Sequence, residues 1–280
     1  MELSELVKRI KNLEIQGAEA VARESIKFLL DMEKSGTSRD DILRAAETLR
    51  TARPTEPFLR NCIKVGLKRG FLPVLEQISS SKEEIARYGS RKIKDGYIVY
   101  THCHSSTVVR ILEEAKRLGK EFEVRVTETR PLYQGRKTAK ELSELDIPVT
   151  LFVDSGVGLA LQGADMMMIG SDAITSEGKV VNKIGSRTFA YIAKSLGIPV
   201  YICTNSWKFD PETIFGFEEP IEERSPEEVW DNPPNGVTVR NPAFEMIEPE
   251  LIEAIITEIG VYRPDVMMEV IKERYPEIFE

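Results

Sequence analysis

The chain has 280 residues, with 41% hydrophobic and 30% charged residues. That is enough apolar material for a packed core, which excludes a disordered or collagen-like chain. The formal net charge of −8 argues against a nucleic-acid partner, because phosphate backbones reward clustered Lys and Arg.

The same charge leaves room for a small phosphorylated ligand held by a few local cations. The longest apolar runs are only a few residues, as at Met166–Ile169, too short to span a bilayer, so no membrane partner is expected. The amphipathic start MELSELVKRIKNLE lacks the apolar stretch of a secretory leader. Three cysteines form no disulfide framework and suit a reducing, cytoplasmic setting. Few glutamines beside many Glu, Lys and Arg fit a thermophilic source.

Residues 1–94 read as helical. Leu3, Leu6, Val7, Ile10 and Leu13 recur at helical spacing. Gly17 breaks this run before a second helix, Ala18 to Met32. Ser38 is placed to cap a third helix, with Asp40 and Asp41 in its first turn. That helix ends near Thr51, ahead of Pro54. Two more follow, Glu56–Lys68 and roughly Ser81–Lys94. No strand signal appears in this half.

From Asp95 the texture changes. Strands are predicted at Tyr97–Thr101, Glu123–Thr127, Val149–Val153, Met166–Ile169 and Val200–Cys203, with a late one at Ala254–Thr257. Between them lie helices at Ser106–Leu118, Lys137–Leu145, Val157 to Gln162 and Gly185–Leu196. Apolar strands alternating with helices indicate an α/β fold with a doubly wound parallel sheet over residues 95–280. The stretch Glu218–Pro242 reads as a long excursion with a short helix near Pro226–Val229.

In such a sheet, ligands collect beyond the carboxyl ends of the strands. The first strand runs into Thr101-His102-Cys103-His104-Ser105-Ser106-Thr107, which holds both histidines of the chain. A helix start and two imidazoles would favour a thiolate at Cys103. Ser105, Ser106 and Thr107 are phosphate-binding or capping groups. The second strand ends in Glu128-Thr129-Arg130, where Arg130 clamps a phosphate or supports the loop. The third ends at Asp154, an N-cap candidate. The fourth ends in Gly170-Ser171-Asp172, which puts a carboxylate where a general base is needed. Asn182 and Lys183 stand before a helix start, and Lys208 lies in an aromatic turn after the fifth strand. No Walker loop, zinc spacing or Ser-His-Asp order is present. The set suits a phosphorylated sugar handled by one acid and one base.

At these residues the sequence resembles a known superfamily. THCHSSTV, VTETRPLYQGRKTAKEL, IGSDAI followed by GKVVNKIG, and CTNSWKFDPET are similar to 5-methylthioribose-1-phosphate isomerases and to the alpha, beta and delta regulatory subunits of the translation-initiation guanine-nucleotide exchange factor. The likeness is greatest to archaeal ribose-1,5-bisphosphate isomerases. It covers nearly all of residues 85–275 and, more loosely, the helical half. It implies a helical N-terminal domain (1–94) and a Rossmann-like domain (95–280), a homodimer or dimer-based hexamer, an activator such as AMP, and no cofactor or metal. It implies Cys103 and Asp172 as the catalytic pair. Substrate contacts would come from Ser105, Ser106, Thr107, Asn182, Lys183 and Lys208, with Arg53 and the turn Gln16-Gly17-Ala18-Glu19 from the helical half. Regulatory members generally lack that cysteine.

Two departures stand out. The family turn is Arg-Gly-Ala-Gly, whereas Gln16 and Glu19 stand here, placing a carboxylate where an anion should bind. The helical half is also shorter than the family's between Gly70 and Ser81. The implied reaction converts a sugar 1-phosphate to a ketose, with Cys103 protonating the ring oxygen and Asp172 taking the C2 proton. An acid role needs a protonated thiol, contrary to the thiolate expectation, unless a dry pocket raises its pKa. A ligand-sensing, non-catalytic protein that partners initiation factor 2 is the alternative reading, followed by a methylthioribose-1-phosphate isomerase.

Overall fold

The computed structural model describes residues 2–12, 14, 15, 17–52 and 56–280. Leu13, Gln16, Arg53 and Pro54 fall outside them.

The N-terminal region is helical as expected: α1 (Leu3–Lys11), α2 (Ala18–Lys34), α3 (Arg39–Arg50), α4 (Pro57–Arg69) and α5 (Phe71–Ser90). Leu6 and Ile10 of α1 and Val21, Ile26 and Leu29 of α2 are fully buried. The Ser38 hydroxyl accepts the Asp41 amide at 3.2 Å, capping α3. Pro57 opens α4, where its missing N–H costs nothing.

The last of these helices differs from the expectation of Ser81–Lys94. It begins ten residues earlier, so the stretch from Gly70 to Ser81 is helix rather than connection. Pro73 obscured it, yet a proline in the first turn loses no helical hydrogen bond. Val74, Ile78 and Ile85 keep one face of α5 buried.

The second region builds the expected sheet from β1 (Ile98–His102), β2 (Glu123–Thr127), β3 (Val149–Phe152), β4 (Met166–Ile169), β7 (Val200–Cys203) and β9 (Ala254–Thr257). Helices α6 (Ser106–Arg117), α7 (Gln134–Ser143), α8 (Val157–Leu161), α9 (Ser186–Ser195) and α10 (Met267–Arg274) complete the α/β alternation. A short strand β10 (Gly260–Tyr262) lies at one edge, and the strand order is β10-β9-β7-β4-β1-β2-β3. All pairings are parallel except that of β10, which runs antiparallel to β9. The chain winds outward from β1 to β3, then returns to lay β4 beside β1. The switch point therefore falls between β1 and β4, and a crevice opens beyond their carboxyl ends.

A second, antiparallel sheet was not legible in the sequence. It comprises β5 (Ala173–Ile174), β6 (Val180–Lys183) and β8 (Phe244–Ile247). The turn Ser176-Glu177-Gly178-Lys179 joins β5 to β6 as a hairpin. Strands of two to four residues are too short to show a period of two. The excursion Glu218–Pro242 carries little regular structure beyond a turn of 3-10 helix at Pro226–Glu228. It is fastened by Arg240 on Glu223 at 2.9 Å and by Asn241 Nδ2 on the Ser225 carbonyl at 2.9 Å. Among the described residues, no helix is long and apolar enough to cross a membrane.

Candidate active site at the sheet switch point

A cavity of about 430 Å³ lies where α2 and α5 face the ends of β1, β4 and β6, within the size range of small-ligand sites. Cys103 and Asp172 both line it, one from each strand end flanking the switch point. So do Gly17, Ala18, Glu19, Ser105, Ser106, Thr107, Asn182, Lys183 and Lys208. Gln16 and Arg53 lie outside the described residues.

The strand ends approach closely. A Cβ on Gly170 would lie 2.7 Å from the Ser105 hydroxyl oxygen, so only glycine lets the end of β4 pass the start of α6. Ser105 caps α6 by accepting the Val108 amide at 3.3 Å, and the first-turn amides of α6 open on the cavity. Asp172 is set by its own amide, which donates to the Val181 carbonyl at 2.8 Å. The hairpin strand β6 thus fixes the backbone that bears the Asp172 carboxylate and also carries Asn182 and Lys183. The buried Asn182 amide donates to Ser186 at 2.8 Å. The Lys183 ammonium sits over the Phe244 ring at 4.7 Å. Lys208 reaches back to donate to the Ser171 carbonyl. Neither of these lysine contacts is to a carboxylate.

The thiolate expectation is overturned. Burial pushes the Cys103 thiol up to about 11, and Asp172 and Asp154 add to the rise, against the opposing pull of Lys183 and the His104 amide. The imidazoles supply no positive charge to counter this. His102 is deeply buried, and burial pushes it down to about 4. Its Nε2–H donates to the Ile184 carbonyl at 2.9 Å, so Nδ1 accepts from the Thr127 hydroxyl at 2.8 Å. His104 is likewise held below its ordinary value by burial and by Lys137. A thiol pKa raised this far favours the neutral thiol over the thiolate at neutral pH.

Arg130 does not reach the cavity. It contacts Tyr133 and the Val229 carbonyl on the exposed side. Asp154 is structural: its two carboxylate oxygens accept the amides of Thr129 and Arg130 at 2.8 and 2.7 Å.

Several lining residues escaped the sequence reading: Arg23, Lys82, Gln134, Lys137, Asn205 and Arg224. One signal was available. Ile78, Lys82 and Ile85 share a face of α5, so Lys82 is a cation on an otherwise apolar stripe. Arg23 and Lys82 flank Glu19, with N···O distances of 3.4 and 3.5 Å. The Ser106 hydroxyl also donates to Glu19 at 3.4 Å.

The fold and this cavity define a doubly wound α/β protein in which a thiol and a carboxylate line one pocket with several cations. The chain belongs to the initiation factor 2 subunit family, whose pattern matches residues 14–264. It is 37% identical to a ribose 1,5-bisphosphate isomerase of Archaeoglobus fulgidus, covering 98% of this chain and 93% of that protein. It is 38% identical to the Methanocaldococcus jannaschii protein of the same name, covering 94% and 92%. A solved Pyrococcus horikoshii translation initiation factor eIF-2B superposes with a TM-score of 0.83 at 29% identity, covering 94% of this chain and 97% of that one.

Proposed function

We propose that this protein is an aldose–ketose isomerase that converts ribose 1,5-bisphosphate to ribulose 1,5-bisphosphate. The observation that carries the reading is the pair Cys103 and Asp172 on the two strand ends at the switch point, lining one cation-bearing cavity with the thiol protonated. The names borne by the relatives from A. fulgidus and M. jannaschii support it.

The chemistry is set by the substrate. A sugar esterified at its anomeric oxygen cannot open its ring spontaneously. Cys103 gives its proton to the ring oxygen as the bond from that oxygen to C1 breaks. Asp172 takes the C2 proton, and the C2–H electron pair forms the C1–C2 double bond of an enol. Asp172 then returns its proton to C1, the C2 hydroxyl proton passes to the Cys103 thiolate, and the C2 ketone forms. Both groups end as they began. Asn182, Lys183, Lys208 and the first turn of α6 would hold the phosphates. The reading includes a homodimer at the β3 edge of the sheet, where Leu151 of β3, the following Val153 and Leu159 of α8 are exposed, and an AMP-type activator.

The test is ribulose 1,5-bisphosphate formation by the wild type, Cys103→Ser and Asp172→Asn. Loss of about a hundredfold or more in each variant is expected. Full activity in both overturns the assignment. The carboxylate of Glu19 among the cations favours a second reading, a ligand-sensing regulatory protein. Absence of turnover by the wild type, with sugar phosphate still bound, would select it.

A further inference from the structure

Cys103 has a backbone φ of +64°, in the left-handed region that non-glycine residues avoid. Holding such a residue is unfavourable and needs surroundings that over-determine it. Both of its backbone polar groups are taken by threonine hydroxyls. The Cys103 amide donates to Thr129 Oγ1 at 3.0 Å, and the Thr138 hydroxyl donates to the Cys103 carbonyl at 2.8 Å. The two threonines come from different elements and are themselves fixed. Thr129 is left-handed, with φ +62°, and Asp154 holds its amide at 2.8 Å. Thr138 sits on α7, which presses so close to β2 that a Cβ on Gly135 would lie 1.8 Å from the Thr127 carbonyl oxygen. The Thr138 hydroxyl, having donated to Cys103, accepts from His104 Nδ1 at 3.1 Å. Thr129 and Thr138 are both buried.

We propose that Thr138 and Thr129 form a hydroxyl clamp that positions Cys103 for proton transfer by holding its backbone left-handed. They are positioning residues, not catalytic ones. Without the clamp, the backbone relaxes to an ordinary conformation, and the thiol leaves its half-buried place at the cavity wall. A displacement of this kind is felt in the chemical step more than in binding. It also returns the thiol towards its ordinary, more reactive titration range. Clamp loss therefore makes Cys103 more reactive and less active at once, a combination that general destabilisation does not produce.

The proposal rests on Cys103 as the acid, and one arm of its test is independent of turnover. In the full chain, Thr138→Val should lower kcat about tenfold or more with KM changed less than about twofold. Site-resolved alkylation by iodoacetamide at pH 7.5, read by mass spectrometry, should rise about tenfold at Cys103 for each unit by which the thiol pKa falls. Cys62 and Cys203, both buried, are internal controls and should not change. Thr138→Ser should restore both readouts, and Thr129→Val should repeat the Thr138→Val pattern. Equal rises at all three cysteines, or an unchanged Cys103, overturn the proposal. Should the wild type turn over no sugar phosphate, the isomerase reading falls, while the alkylation pattern still decides the clamp.

Discussion

Replacing Glu19 with Gln removes one negative charge from the cavity without changing side-chain volume. In the structure, that carboxylate stands 3.5 Å from Lys82 and 3.4 Å from Arg23, and it accepts the Ser106 hydroxyl at 3.4 Å. A substrate phosphate drawn to the same cations and to the start of α6 must approach it. At about 4 Å, two unit charges repel by about 1 kcal/mol in water and about 4 kcal/mol at an effective dielectric near 20. The Glu19 side chain is 25% exposed, which places the cost nearer the lower figure, about 1–2 kcal/mol, or about five- to thirtyfold in affinity. Glu19→Gln should therefore bind ribulose 1,5-bisphosphate more tightly by that factor. The gain should shrink as ionic strength rises. Losing two half-exposed ion pairs should lower thermal stability by no more than about 1 kcal/mol. Isothermal titration at two salt concentrations reads both affinities. Unchanged or weaker binding would refute the reasoning and assign Glu19 instead to holding Arg23 and Lys82 in place.

Two further outcomes concern pH. The imidazole of His102 is buried and pushed down to about 4, below its unfolded value. The unfolded chain binds the extra proton first, so stability is present above about pH 6.5 and lost as pH falls towards 4, at up to about 1.4 kcal/mol per unit. Urea midpoints measured between pH 7 and 4 should fall less steeply in His102→Gln, and equal slopes would count against this account. Burial and the neighbouring Asp210 carboxylate push the pKa of Glu219 up to about 9, which favours its protonated form, although Arg60 stands 3.8 Å away. Here the folded state keeps the proton that the unfolded chain loses, so stability falls as pH rises from about 4.5 towards 9. Glu219→Gln, whose amide replaces the neutral carboxyl, should flatten that decline. A decline as steep as in the wild type would show that the carboxyl is already ionised.

The central strands of the parallel sheet were legible because burial on both faces writes them as apolar runs such as MMMI and VYIC, bounded by turn residues. The site inherited that legibility: Cys103 and Asp172 stand directly after apolar runs, where a parallel sheet presents its ligand-binding residues. The small antiparallel sheet was not readable, since β5 has two residues and β8 comes after a long irregular stretch. The lining cations Arg23 and Lys82 were hidden differently. They sit mid-helix, where a charged residue ordinarily faces solvent, and only packing of α2 and α5 against the strand ends turns them inward. The protonation of Cys103 was also out of reach, because dipole and imidazole arguments assume charges that burial of His102 removes.

That protonation state makes the two ends of the cavity unequal in a way that bears on orientation. Around Glu19 the cations are already partly compensated. Near Cys103 and Asp172 the compensation is of another kind: Lys183 lies over the Phe244 ring and is felt by the Glu228 carboxylate, and Lys208 bonds the Ser171 carbonyl. Lys183 is also the charge that most lowers the Cys103 thiol. On the proposed reaction, the phosphate next to the reacting carbons is the one on C1, so it belongs at the Lys183 end. A phosphate dianion there cancels the influence of Lys183 on the thiol, while Asp172 continues to raise it. Substrate binding thus drives Cys103 further towards its protonated form. On the proposed reaction, the phosphate that blocks spontaneous ring opening would therefore also keep in place the proton that opens the ring.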